Sequence, residues 1–145
     1  MFSWRYRIHA ILIISVLAII FVPQFTNKPD KNKTEATIAA ANEFLEMVDN
    51  GRYDDSWQIA DPFLQQKVPL EDWQAKLTRI RETFGPVSER TLEDVNFTAP
   101  AEELPESEFI MLEYETRFKQ EEKSEVVTLV LGSDNRWRVV GYFIQ

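Results

Sequence analysis

A chain of 145 residues with no cysteine, one histidine and a formal net charge of −8 has length for one modest domain besides a targeting segment. The lack of cysteine excludes disulfides, a lipid-modified cysteine and thiolate metal ligands. The acidic balance opposes nucleic acid and anionic lipid headgroups as partners.

Arg5 and Arg7 open the chain, and residues 8–25 then contain no Asp, Glu, Lys or Arg, with the core ILIISVLAIIFV at 11–22. Two readings compete for this segment. A cleaved signal peptide needs a basic start, an apolar stretch and a small-residue cleavage site. Val22-Pro23-Gln24-Phe25 offers no small-x-small pair. A spanning helix over 8–25 would rise about 27 Å, slightly short of the hydrocarbon thickness, and Trp4 and Tyr6 extend it at headgroup level. The anchor reading is favoured, with a cleaved signal as the alternative. Arg5 and Arg7 then hold residues 1–7 in the cytoplasm, and the rest lies outside. Residues 26–33 read as a polar tether and 34–145 as one extracytoplasmic domain.

Three helices are expected in the domain's first half. Thr34 reads as an N-cap, Ile38, Ala41, Phe44, Leu45 and Val48 recur at helical spacing, and Asp49-Asn50-Gly51 stops the run. A shorter helix uses Tyr53, Trp57, Ile59 and Ala60 and ends at Asp61-Pro62, with Phe63-Leu64 continuing irregularly. The third starts near Pro69, carries Trp73, Leu77, Ile80 and Phe84 as its apolar stripe, and closes at Gly85-Pro86. The period then changes to two. Residues 88–97 form a weak strand with Val95 and Phe97 inward, and 99–107 an acidic loop. Leu112, Tyr114, Thr116 and Phe118 alternate with Glu113, Glu115, Arg117 and Lys119. Residues 124–131 and 136–144 are further strands, joined by the turn Gly132-Ser133-Asp134-Asn135. The expected fold class is α+β: an N-terminal transmembrane helix, then about three helices on a curved antiparallel sheet of about four strands.

Three blocks carry a resemblance. They are Phe44-Leu45-x-x-Val48-Asp49-x-Gly51-x-Tyr53-x-x-Ser56-Trp57, then Trp73, Leu77, Arg81 and Gly85 at intervals of four followed by Arg90, and Trp137-Arg138-Val139-x-Gly141-Tyr142-Phe143. In order and spacing they resemble a bacterial family of unknown function, number 4019 among such domains. Its members are typically small exported or membrane-associated proteins with no established activity. The helix-then-sheet order is also similar to the cystatin-like and nuclear-transport-factor-like group. That resemblance implies a pocket between helices and curved sheet, used by isomerases, dehydratases and many non-enzymatic binders. It supplies no catalytic residue here.

No strong chemical motif is present. His9, the sole histidine, falls in the apolar segment's first turn and reads as an interfacial polar residue. The serines thus lack a histidine partner for a hydrolase triad, and no glycine-rich phosphate loop occurs. Asp94, Glu102, Glu103, Glu106 and Glu108 lack calcium-loop spacing, so no metal site and no cofactor is expected. Trp73, Arg81 and Arg90 are candidates for binding an anion or a partner. The bland alternative makes Arg81 a bridge from the helix end to an acidic residue such as Glu89 or Glu93. Trp57, Tyr114, Trp137 and Tyr142 are candidate pocket-lining residues, although aromatics at such spacings usually form core. The sequence therefore points to a membrane-anchored, extracytoplasmic binding or structural domain that engages another protein or itself. The alternative is a small-molecule binder or enzyme with a buried carboxylate facing an open pocket.

Overall fold

The computed structural model describes residues 30–98 and 107–145. The expected cytoplasmic start, the apolar segment 8–25, the first half of the tether and nearly all of the acidic loop lie outside these residues. Among the described residues no helix is long and apolar enough to cross a membrane.

Four helices precede four strands: α1 Lys31–Asp49, α2 Tyr53–Ile59, α3 Pro62–Lys67, α4 Leu70–Phe84, β1 Val87–Thr98, β2 Phe109–Phe118, β3 Glu122–Leu131 and β4 Trp137–Ile144. The α+β class stands, with one helix more than expected. Helix α1 starts three residues before Thr34. Asp30 is its N-cap and accepts the Asn32 amide at 3.3 Å, while the Thr34 hydroxyl bonds back to the Asp30 carbonyl at 3.1 Å. Residues 31–33, assigned to the tether, are thus helical. At its far end Gly51, at φ 74°, sends its amide to Val48 O at 3.1 Å, and Arg52 sends its own to Met47 O at 2.8 Å. This paired closure needs a left-handed residue, which glycine supplies without strain. The extra helix is α3. Asp61 lies just past the end of α2 and also caps α3, accepting the Phe63 amide at 2.9 Å, and Pro62 fills a first-turn position where no N–H is needed.

The strands pair in the order β1-β2-β3-β4, all antiparallel. Shifts of register occur at Val87/Glu89 and Leu92/Asp94 in β1, and opposite Thr128/Leu129 in β4. Each inserts a residue and bends its strand. One sheet face carries Leu92, Val95 and Phe97 from β1, Ile110, Leu112 and Tyr114 from β2, Val127 and Leu129 from β3, and Val139 and Tyr142 from β4. The helices bury this face. Helix α1 packs on β3 and β4, α3 on β4, and α2 lies between α1 and α4. Phe44, Trp73 and Tyr142 meet at the centre with ring centroids 5.5–6.3 Å apart, in tilted and edge-on contacts favoured by aromatic quadrupoles.

Candidate functional site

A charged cluster crosses the apolar interface between helices and sheet. It takes one side chain from each strand and one from the end of each long helix. Glu125 lies on β3 with the parity of Val127 and Leu129, so the pleat turns it toward the helices, where it is fully buried. Arg90 on β1 reaches it across β2, with Nε 2.6 Å from Oε2 and Nη2 3.2 Å from Oε1. The Thr116 hydroxyl on β2 donates to Oε2 at 2.7 Å, and the Tyr142 hydroxyl on β4 donates to Oε1 at 2.6 Å. Asp49, the last residue of α1, accepts Arg90 Nη1 at 2.8 Å and Nη2 at 3.0 Å. Arg81, in the last turn of α4, stands 3.6 Å from Asp49 and donates to Gly85 O at 3.1 Å and more weakly to Val48 O at 3.5 Å.

Two arginines and two carboxylates make the cluster neutral, which is what permits an ionised glutamate in an apolar core. Each Glu125 oxygen accepts two hydrogen bonds. Arg90 makes four hydrogen bonds through its three guanidinium nitrogens. Burial alone would lower the Arg90 pKa. Its hydrogen bonds to Asp49 and Glu125 outweigh that and hold it above the ordinary value. Burial, reinforced by the charge of Glu125, raises the Tyr142 phenol well above its ordinary range. Tyr114, whose Cα pairs with Glu125, is pushed up to about 12 by burial, with Arg90 pulling down and Glu125 pushing up. Its hydroxyl has no hydrogen-bond partner among the described residues.

The residues singled out in the sequence are divided by the fold. Arg81 and Arg90 do come together, over Asp49 rather than over Glu89 or Glu93. Glu89 instead meets Arg117 at 2.7 Å on the surface. Trp73 is in the core, where its indole N–H donates to the Ser56 hydroxyl at 3.0 Å. Trp57 is half-buried and donates to Val68 O at 2.8 Å, and Trp137 is half-buried at the start of β4. Tyr114 and Tyr142 are buried beside the cluster. Glu125, Asp49 and Thr116 were not singled out. Glu125 carried a readable sign, an acid on the inward parity of an apolar strand. In the sequence Asp49 belongs to a helix stop and to the first resembling block, neither of which marks it as a counter-ion.

An open depression of about 230 Å³ is lined by Glu93, Glu113, Tyr114, Glu115, Glu122, Lys123 and Ser124. Glu113, Glu115, Glu122 and Ser124 belong to the strand face turned away from the helices. Glu113 is already tied to the Ser124 hydroxyl at 2.9 Å. Among the described residues no three His, Cys, Asp or Glu side chains are grouped to hold a metal ion.

Helices against one face of a meandering antiparallel sheet, with a neutral, part-buried ionic cluster between them, define a small α+β domain. Residues 40–142 match the family described as "Protein of unknown function (DUF4019)", and the chain belongs to that family. Comparison with curated proteins gives no match.

Proposed function

We propose that this chain is a membrane-anchored, extracytoplasmic domain that works by holding a protein partner rather than by catalysing a reaction. The observation that carries the reading is the state of Glu125. A general base needs a free lone pair facing a space that substrate can enter. Each Glu125 oxygen already accepts two hydrogen bonds, from Arg90 and Thr116 or from Arg90 and Tyr142, and the residue is fully buried. The basic start and apolar run ahead of the domain support the anchor, with the domain outside the cytoplasm. Confinement to a surface raises the encounter rate of an otherwise inert domain with other membrane components. A small-molecule site in the acidic depression is the second reading. It is favoured less because that space is open and already crossed by the Glu113–Ser124 bond.

The absence of cysteine makes topology directly testable. Gln66 is exposed on α3, so full-length protein carrying Gln66→Cys should react in spheroplasts with a membrane-impermeant maleimide. Labelling only after lysis would place the domain inside and end the extracytoplasmic reading. Photocrosslinkers at exposed positions of α1, α4 and β1 in full-length protein should give a discrete adduct from one face. If no position yields one in membranes, the partner reading fails.

A further inference from the structure

Among the described residues β1 and β4 are the outer strands of the sheet, and their edges are closed to a further strand by different means. In β1 two bulges break the line of the edge, and Asp94 takes the Val95 amide with its own carboxylate at 2.9 Å. β4 ends on Tyr142, Phe143 and Ile144, which carry no charge. The direction of its backbone groups derives from the ladder. Ser124 and Gln145 exchange both backbone hydrogen bonds, at 3.0 and 2.9 Å. Bonded and non-bonded pairs alternate in an antiparallel ladder, so Phe143 opposite Val126 is the next bonded pair. Tyr142 and Ile144 therefore point their N–H and C=O groups outward, at the free edge.

Two of the carbonyls on this side are capped by side elements. Val139 O accepts the Asp61 amide at 2.8 Å, from the junction of α2 and α3. Tyr142 O accepts Lys76 Nζ at 2.6 Å, from the middle of α4. Lys76 is an exposed residue of α4, and its ammonium is held 5.4 Å from the Trp73 ring centroid and 5.9 Å from that of Tyr142. Burial of the ammonium lowers its pKa to about 8. A lysine in this place does more than decorate a helix. It fills the acceptor that an incoming strand would need, and it sets a cation where that strand would lie.

We propose that Lys76 is a stopper on the free edge of β4, and that once it is removed this edge pairs antiparallel with β4 of a second copy of the chain. A second copy is the occupant because an uncharged strand end paired two-fold with itself needs no complementary charge. Each copy then supplies the same outward groups of Tyr142 and Ile144 to the other. The edge of β1, bulged and bearing Glu89, Glu93 and Asp94, lacks that self-complementarity. This inference does not depend on the proposed protein partner.

The test is the mass of the full-length protein in density-matched detergent micelles, measured by sedimentation over a tenfold range of concentration. Lys76→Arg, which keeps a cationic donor, should sediment as the parent does. Lys76→Met, which keeps the stem but loses the donor, should double in protein mass relative to the parent. Adding Ile144→Pro should return it to the parent's mass, since proline there removes an outward N–H and no ladder bond. A Lys76→Met protein with parental near-UV circular dichroism and parental mass would overturn the proposal. So would a doubled mass that survives Ile144→Pro. Should Lys76→Met not fold, Lys76→Ala carries the same test, and loss of fold in both would show that the lysine holds the domain together rather than guarding its edge.

Discussion

At the scale of single residues, the two arginines of the interior share Asp49 but differ in energetic weight. Arg90 bridges a fully buried glutamate to Asp49 with short, charge-assisted bonds. Removing it leaves Glu125 uncompensated in the core, at a cost of about 3–5 kcal/mol. Arg81 is nearer solvent, its closest approach to Asp49 is 3.6 Å, and its side chain is 24% exposed. Its loss should cost about 1 kcal/mol, most of it from the bond to Gly85 O. Urea unfolding of Arg90→Leu and Arg81→Leu beside the parent checks both. Equal losses would mean that Asp49, not Glu125, governs the cluster. Lys76 provides a test by pH. Its folded pKa lies below the unfolded value of 10.5, at about 8. Between these values the unfolded chain binds more protons than the fold, so its contribution to stability rises with pH across that window and is flat below it. The rise should be smaller than the full shift implies, because Lys76 is an exposed residue and water screens its charge. Tyr114, raised to about 12, acts in the opposite sense above pH 10: there only the unfolded phenol ionises, so stability falls as pH rises. Melting temperatures of parent and Lys76→Met should therefore diverge from pH 8 to 10. Parallel curves would remove the lowered pKa.

At the scale of elements, closures and edges decide where each piece stops. Gly51 and Gly85 both sit at positive φ, yet their surroundings differ. A Cβ on Gly51 would meet nothing within 4 Å, so Gly51→Ala should cost about 1 kcal/mol of backbone strain. Gly85, at φ 78° and ψ −170°, is in a region open essentially to glycine alone, and a Cβ there would come 3.0 Å from Lys119 Cβ. Gly85→Ala should cost about 2–3 kcal/mol. Chemical unfolding that ranked the two the other way would contradict this role for the α4–β1 junction. The period change from helix to strand, the apolar stripe of α4 and the alternation of β2 were all legible, because each is set by which face a residue must bury. Two features were not. Residues 61–64 read as an irregular helix tail because a proline can both stop the helix before it and start the helix after it. Only Asp61 turning back to the Phe63 amide decides between these roles. The β1 bulges left no mark in the pattern, because register depends on the neighbouring strand.

For the whole molecule, the domain stands on an apolar core pinned by one neutral ionic cluster, and nothing among its described residues calls for a metal. Thermal melts with and without EDTA should coincide within about 1 °C, and a calcium-reversible drop of several degrees would establish a cation site. By itself the sequence determined the absence of disulfides, the acidic charge, the apolar run ahead of the domain and the order of helices before strands. Those properties are composition and local periodicity, which need no partner in space. It also marked Arg81, Arg90, Trp73, Tyr114 and Tyr142 as residues of interest. Only the tertiary structure decided what they do. Arg90 and Glu125 are 35 residues apart, and Arg90 and Asp49 are 41 apart. Whether a carboxylate is a free base or a saturated counter-ion depends on which donors the sheet register and helix packing bring to it. No local pattern encodes that, because the attraction between such charges acts through space and only after the chain has folded.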